Sequence, residues 1–315
     1  MTYTDPNGLV FLLNSGNSTA IVGESKNAKG DVIIPRSIKY QDKEYIIIGL
    51  KEDSFFSNDN ITSVSFPNDS EVISIRTRAF SLSNIMRLQI PKSVQNLDDA
   101  WCTVTSHLIK VDLSPENPNF TYLDSDHKII LGKSNLDSEF FDVLVFACRD
   151  INKKVTIPSY IKHICSGAFD QCKQMKQIEF EENSQLETIG RTCFSYGEFE
   201  YIKFPSKLKS IGPELFNQAH IKTCEFDENC PLKVIPNSTF NCTSLKTISL
   251  PKDLFSFEKN WASYTKITQI DIPPTNPYLT YIDIQHKIIA GKTDPQSPVF
   301  DLLIYTCRDV QNAVI

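Results

Sequence analysis

The stretch Ile157-Pro-Ser-Tyr-Ile-Lys-His-Ile-Cys-Ser-Gly-Ala-Phe-Asp-Gln-Cys-Lys-Gln-Met-Lys-Gln-Ile-Glu-Phe180 decides the fold. Its last part, Met175-Lys-Gln-Ile178-Glu-Phe180, runs apolar-x-x-apolar-x-apolar. The closing alternation is the period-two mark of a strand with one buried face. Its middle part, Ile164-Cys-Ser-Gly-Ala168-Phe169, ends in a small residue followed by Phe. Both parts recur along the chain, and recurrence at a fixed period is the signature of a repeat architecture.

The strand pattern returns as Ile61-Thr-Ser-Val64-Ser-Phe66, Ile85-Met-Arg-Leu88-Gln-Ile90 and Leu108-Ile-Lys-Val111-Asp-Leu113. It returns again as Phe199-Glu-Tyr-Ile202-Lys-Phe204, Ile221-Lys-Thr-Cys224-Glu-Phe226, Leu245-Lys-Thr-Ile248-Ser-Leu250 and Ile267-Thr-Gln-Ile270-Asp-Ile272. Pro usually follows. It has no N–H for a ladder and holds the residue before it extended, so the strands stop at one common place. The Phe block returns around Phe80, Phe194, Phe216 and Phe240, and the steps from Phe169 onward are 25, 22 and 24 residues. Such steps belong to coils with a Phe at each corner filling the interior, which accounts for a Phe count of 20.

A longer repeat overlies the short one. Pro91-Lys92 and Trp101 recur at an offset of 160 as Pro251-Lys252 and Trp261. Asn117-Pro-Asn-Phe-Thr-Tyr122, His127-Lys-Ile-Ile130 and Cys148-Arg-Asp150 recur at 159 as Asn276-Pro-Tyr-Leu-Thr-Tyr281, His286-Lys-Ile-Ile289 and Cys307-Arg-Asp309. The expected fold is an all-β solenoid of ~22–25-residue coils with a ~160-residue internal duplication. Each block carries one insertion, 128–132 with 142–148 and 287–291 with 301–307, expected as a β-hairpin standing on the side of the solenoid. The expected organisation is one solenoid over 1–315. It has a cap region at 1–50, a first block at 51–158 with its hairpin at about 115–150, and a second block at 159–315 with its hairpin at about 274–309. The segment Asn312-Ala-Val-Ile315 aligns with the opening of the strand Val155-Thr-Ile-Pro158. The second block therefore reads as stopping part-way into a strand, and such an open end is an edge for self-association.

Composition removes several classes. Net charge is −6 over 315 residues, with no long Lys or Arg run, so nucleic acid and anionic membrane surfaces are not expected partners. No apolar run approaches the ~20 residues of a membrane-spanning helix. Leu9-Val-Phe-Leu-Leu13 is too short for a signal core, lacks a basic residue before it, and reads as a strand. The nine Cys are odd in number and include no Cys-x-x-Cys, so neither a disulfide framework nor a metal site is expected. Their expected state is buried free thiol, with a Cys224–Cys230 bridge as the alternative in an oxidising compartment.

These residues resemble the BspA-like leucine-rich repeat family, whose unit reads roughly I-P-x-x-V/I-x-x-I-G-x-x-A-F-x-x-C-x-x-L-x-x-I-x-I-P. The resemblance covers about residues 27–315, and 1–26 look like the family's N-terminal cap. Departures are Cys165 and Pro236 for Gly, and Cys193 and Thr239 for Ala. The resemblance implies a non-enzymatic surface or secreted protein associated with adhesion, bound to a protein or glycoprotein partner. The alternative is a cytoplasmic scaffold. It also implies Asn or Cys after the corner Phe pointing inward, here Cys172 and Cys242.

The candidate binding face is the set of residues flanking the middle apolar position of each strand. They are Ser63 and Ser65, Arg87 and Gln89, Lys110 and Asp112, Gln177 and Glu179, Tyr201 and Lys203, Thr223 and Glu225, Thr247 and Ser249, and Gln269 and Asp271. The bland reading of the same set is a solvated face. Hot spots favour Trp, Tyr and Arg, and only Tyr201 and Arg87 qualify, so a polar contact is expected. His127, His286 and the Arg-Asp pairs 149–150 and 308–309 have no nucleophile or paired carboxylate with them. They read as structural, the pairs as local ion pairs at the surface. No cofactor is expected. Trp101 and Trp261 are expected in the corner place otherwise held by Phe. N-glycosylation sequons stand at Asn17, Asn60, Asn68, Asn119, Asn237 and Asn241.

Overall fold

A computed structural model describes residues 1–309. The expected strand at 312–315 lies outside the described residues. Among the described residues every regular element is a β-strand and there is no helix. The chain is a β-solenoid, as its repeats predict. It divides into two compact units, Met1–Ile151 with Cys165–Gln171, and Asn152–Ile164 with Cys172 onward.

The first unit opens with antiparallel strands Thr2–Thr4, Val10–Asn14 and Thr19–Val22. Each following coil then gives one strand to each of two parallel ladders. One ladder stacks Thr19–Val22, Lys43–Leu50, Ser74–Ile75 and Asn96–Leu97. The other stacks Gly30–Ile33, Ile61–Ser65, Arg87–Ile90 and Lys110–Leu113. The register puts Val64, Leu88 and Val111 side by side. All three are buried. The second unit repeats the arrangement, with Tyr201–Phe204, Thr223–Phe226, Thr247–Ser249 and Gln269–Asp271 in one parallel ladder. His163–Ile164, Thr188–Ile189 and Ser210–Ile211 form another.

The corner Phe holds each coil. Phe80, Phe169, Phe194, Phe216 and Phe240 are fully buried. Within the second unit Phe194, Phe216 and Phe240 stack face to face at 5.5 and 5.3 Å. Turning the backbone around such a ring needs left-handed residues two before and two after it. They are Arg78 and Leu82, Thr192 and Tyr196, Glu214 and Gln218, and Ser238 and Cys242, with φ between 50° and 59°. A non-glycine residue there costs roughly 1 kcal/mol. Coil-to-coil hydrogen bonds offset that cost: the amides of Thr192, Phe194 and Tyr196 donate to the carbonyls of Pro213, Leu215 and Asn217 at 3.1, 2.9 and 3.1 Å. At the matching place before Phe169 stands Gly167, φ 66°. A Cβ there would lie 2.6 Å from Thr103 Cγ2, so this corner admits only glycine.

The residue three after the ring closes the turn. Ser83 and Thr243 donate their hydroxyls to the Phe80 and Phe240 carbonyls at 2.7 and 3.0 Å. Asn58, three after Phe55, donates to the Ser25 and Ala28 carbonyls at 2.9 and 3.0 Å, and accepts from the Asn60 and Ile61 amides. In both insertions the Asn-Pro asparagine does the same work. Asn117 donates to Pro91 and Val94 carbonyls, and Asn276 to Pro251 and Leu254 carbonyls.

Three expectations change. Cys242 is exposed, because it stands two after Phe240 in a left-handed position, and the inward place three after belongs to Thr243. Cys172, three after Phe169, is buried as expected. Trp101 and Trp261 are core, but one place early. The Phe80 and Phe240 amides donate to the Trp101 and Trp261 carbonyls, as the Phe194 amide donates to Leu215, the residue before a corner Phe. Finally, the hairpin Ile129–Gly132 with Val143–Ala147 forms antiparallel pairs, but it does not stand aside. Both strands are buried apart from Val143, and Phe146 packs 5.4 Å from Trp101. Their unbroken apolar runs suit burial on both faces.

Phe216→Ala, removing the ring between Phe194 and Phe240, is expected to cost about 3–5 kcal/mol in urea or thermal unfolding. Thr192→Gly is expected to stabilise by about 1 kcal/mol. It relieves a β-branched residue at φ 50° whose buried hydroxyl makes no hydrogen bond.

Candidate functional site

Once the middle apolar residue of a strand points inward, its two neighbours must point outward. All sixteen candidate residues obey this: none is buried. In the first unit Ser63 lies beside Arg87, Arg87 beside Lys110, and Gln89 beside Asp112. In the second, Tyr201, Thr223, Thr247 and Gln269 form one row, and Lys203, Glu225, Ser249 and Asp271 the next. Gln177 and Glu179 pair instead with Lys154 and Thr156.

The rows are tied internally. Ser63 donates to Asp31 at 2.6 Å, Lys110 pairs with Asp112 at 3.2 Å, Lys154 with Glu179 at 2.5 Å, and Ser249 donates to Asp271 at 3.1 Å. Tyr201 remains 41 % exposed. Burial and its hydrogen bond to Glu225 raise its phenol above the ordinary value. Pairs of this exposure contribute little to stability. They fix side-chain positions on a polar surface.

Four positions of this face escaped the sequence reading. Asp31 and Ile33 of Gly30–Ile33 align with Ser63 and Ser65, and Lys154 and Thr156 align with Gln177 and Glu179. The signal was Val32-Ile-Ile34-Pro35 and Val155-Thr-Ile157-Pro158, the strand-then-Pro ending without the leading apolar residue. Exposed apolar residues at the insertion loops were missed as well: Phe140 is 76 % and Val299 58 % exposed.

The duplicated polar residues hold the insertions together. His127 and His286, both at φ 57°, stack on Tyr122 and Tyr281 at 4.2 Å. Those tyrosines accept from the Leu113 and Ile272 amides and donate to the Val111 and Ile270 carbonyls. The expected Arg149–Asp150 surface pair is replaced. Asp150 pairs with Lys128 at 2.7 Å, while Arg149 is buried over the Phe146 ring. Its guanidinium donates to the carbonyls of Cys102, Thr105, Ala147, Gly167 and Ala168. A planar fork with five donors suits several carbonyls converging at a coil end. Asp309 likewise pairs with Lys287 at 2.9 Å.

Among the described residues no two cysteines form a disulfide. Burial pushes the Cys148 and Cys230 thiols up to about 11 and that of Cys165 up to about 12. Such thiols carry almost no thiolate at neutral pH and are poor nucleophiles. Among the described residues no three His, Cys, Asp or Glu side chains gather as a metal site. No helix there is long and apolar enough to cross a membrane. Of the sequons, Asn17, Asn60, Asn68 and Asn237 are exposed, Asn241 is half-buried and Asn119 is buried.

The BspA type leucine rich repeat region model matches six copies, over residues 36–126, 142–229 and 183–283. No curated protein matches the chain. Among solved structures, a leucine-rich repeat protein from Eubacterium ventriosum is 16% identical over 85% of this chain and 95% of its own, with a TM-score of 0.48. A leucine rich cell surface protein from Faecalibacterium prausnitzii is 14% identical over 87% and 95%, at 0.39. The pneumococcal vaccine antigen PcpA is 14% identical over 86% and 98%, at 0.38.

Arg149→Ala is expected to destabilise by about 3 kcal/mol, because buried carbonyls lose a charged donor. Arg87→Ala, on the exposed face, should shift stability by less than about 0.5 kcal/mol. Parallel denaturant unfolding of the two variants checks the contrast.

Proposed function

The chain belongs to the BspA-type leucine-rich repeat family, and from that premise we propose that it is a protein-interaction module acting as a surface-exposed adhesin. The observation that carries the reading is the outward face. Sixteen side chains chosen by sequence stand clear of the core in ladder register. The fold does not need their chemistry, since the inward residues, the turns and the ladders already close it. Regular solenoid faces of this kind meet partners. The partner is a protein or glycoprotein of the host, matrix or another cell. It is met through small polar groups, with Arg87 and Tyr201 the residues of hot-spot type.

An intracellular scaffold is the second reading, and nine cysteines without a disulfide favour it. An antibody against the chain, applied to intact and then permeabilised cells, separates the two. The adhesin reading expects staining of intact cells. It also expects a matrix or cell-surface binding signal that drops on charge reversal at Arg87, Lys110 and Lys203. Staining only after permeabilisation overturns it.

A further inference from the structure

The outward face of the second unit is interrupted at one place. Lys154–Ile157 pairs with Gln177–Phe180, and Tyr201–Phe204 starts the ladder that ends at Gln269–Asp271, yet no ladder joins Gln177–Phe180 to Tyr201–Phe204. The sequence between them differs from that of later coils. The inward position held by Ile221, Leu245 and Ile267 in later coils is Phe199 here. Its buried ring stands edge-on to Phe194 at 5.7 Å and to Phe216 at 6.3 Å. Gly197 makes room for it: a Cβ there would lie 2.8 Å from Phe199 Cε1. At the strand exits Phe180 and Phe204 lie 6.0 Å apart and tilted, whereas Phe204 and Phe226, within the ladder, close to 5.0 Å.

The gap opens into a groove of about 440 Å³. Half-buried Phe180 and the exposed ring of Tyr201 line it. Around them stand Glu179, Glu181, Glu182 and Asp227 against Lys203 alone. Three of these carboxylates are already engaged, Glu179 by Lys154 at 2.5 Å, Glu181 by the Ser159 amide at 2.8 Å and Asp227 by the Asn229 amide at 2.9 Å. Among the described residues Glu182 and Asp227 have no ion-pair partner. The groove thus offers a negative rim and aromatic faces.

We propose that this groove receives a cationic segment of a partner protein, with a Lys or Arg head between Glu182 and Asp227 and its stem against Phe180 and Tyr201. The inference deepens the interaction-module reading and rests on it. Charge complementarity selects the occupant: an acidic or neutral segment would leave the rim carboxylates unanswered. Aromatic faces favour a cation with an apolar stem.

The test is fluorescence anisotropy with a short labelled peptide alternating Arg and Val, beside the same peptide with Gln for Arg. The expected result is binding of the Arg peptide only, weakened by added salt. Glu182→Gln combined with Asp227→Asn should weaken it about tenfold, and Tyr201→Ala should also weaken it. Glu139→Gln, in the loop of the first insertion and outside this face, should leave it unchanged. Equal binding by wild type and the double variant overturns the groove as the site. So does equal binding of the Gln peptide, or no binding of the Arg peptide. Failure here with intact cells still stained by antibody removes the groove and keeps the adhesin reading. Peptide binding without surface staining does the reverse.

Discussion

Every coil must turn its backbone around one buried ring and reach the next coil in register. That single constraint organises the molecule. The ring needs left-handed residues on either side, and their strain is tolerable because the same amides bond to the following coil. A hydroxyl or amide three residues on then accounts for carbonyls that the turn would leave open. Remove the ring and the strain loses its support, and the ladders on both sides lose their spacing.

Function follows from what that constraint leaves over. Inward positions are committed to packing, and corner positions to closing turns. The outward strand positions stay clear of the core, where short polar ties hold them. The insertions obey the same logic. A His ring stacked on a Tyr whose hydroxyl bridges the preceding strand docks each one to its coil, and Phe140 and Val299 stand exposed at the loops.

Much of this was legible in the residues. The period-two strands, the Pro stops and the Phe steps fixed the fold, and the same alternation fixed which side chains face out. What escaped reading depends on phase or on tertiary contact. Cys242 and Cys172 differ by one place relative to the ring, and one place in a left-handed turn reverses the side chain. Trp101 was misplaced because a ring may enter the same interior from the position before the corner. Arg149 looked like a surface charge, since sequence does not show five carbonyls converging on it. The groove across Gln177–Phe180 and Tyr201–Phe204 was invisible because the repeat pattern does not show which neighbouring strands share a ladder.

The cysteines report on this inside–outside division directly, because the register places them on both sides. Native maleimide labelling followed by peptide mapping is the decisive measurement. The account predicts rapid labelling of Cys242 alone among the thiols, with Cys172, Cys193 and Cys224 protected, and labelling of all nine after unfolding. Fast native labelling of Cys193 or Cys224 would contradict the register. Fewer than nine labels on the unfolded chain would contradict the free thiols.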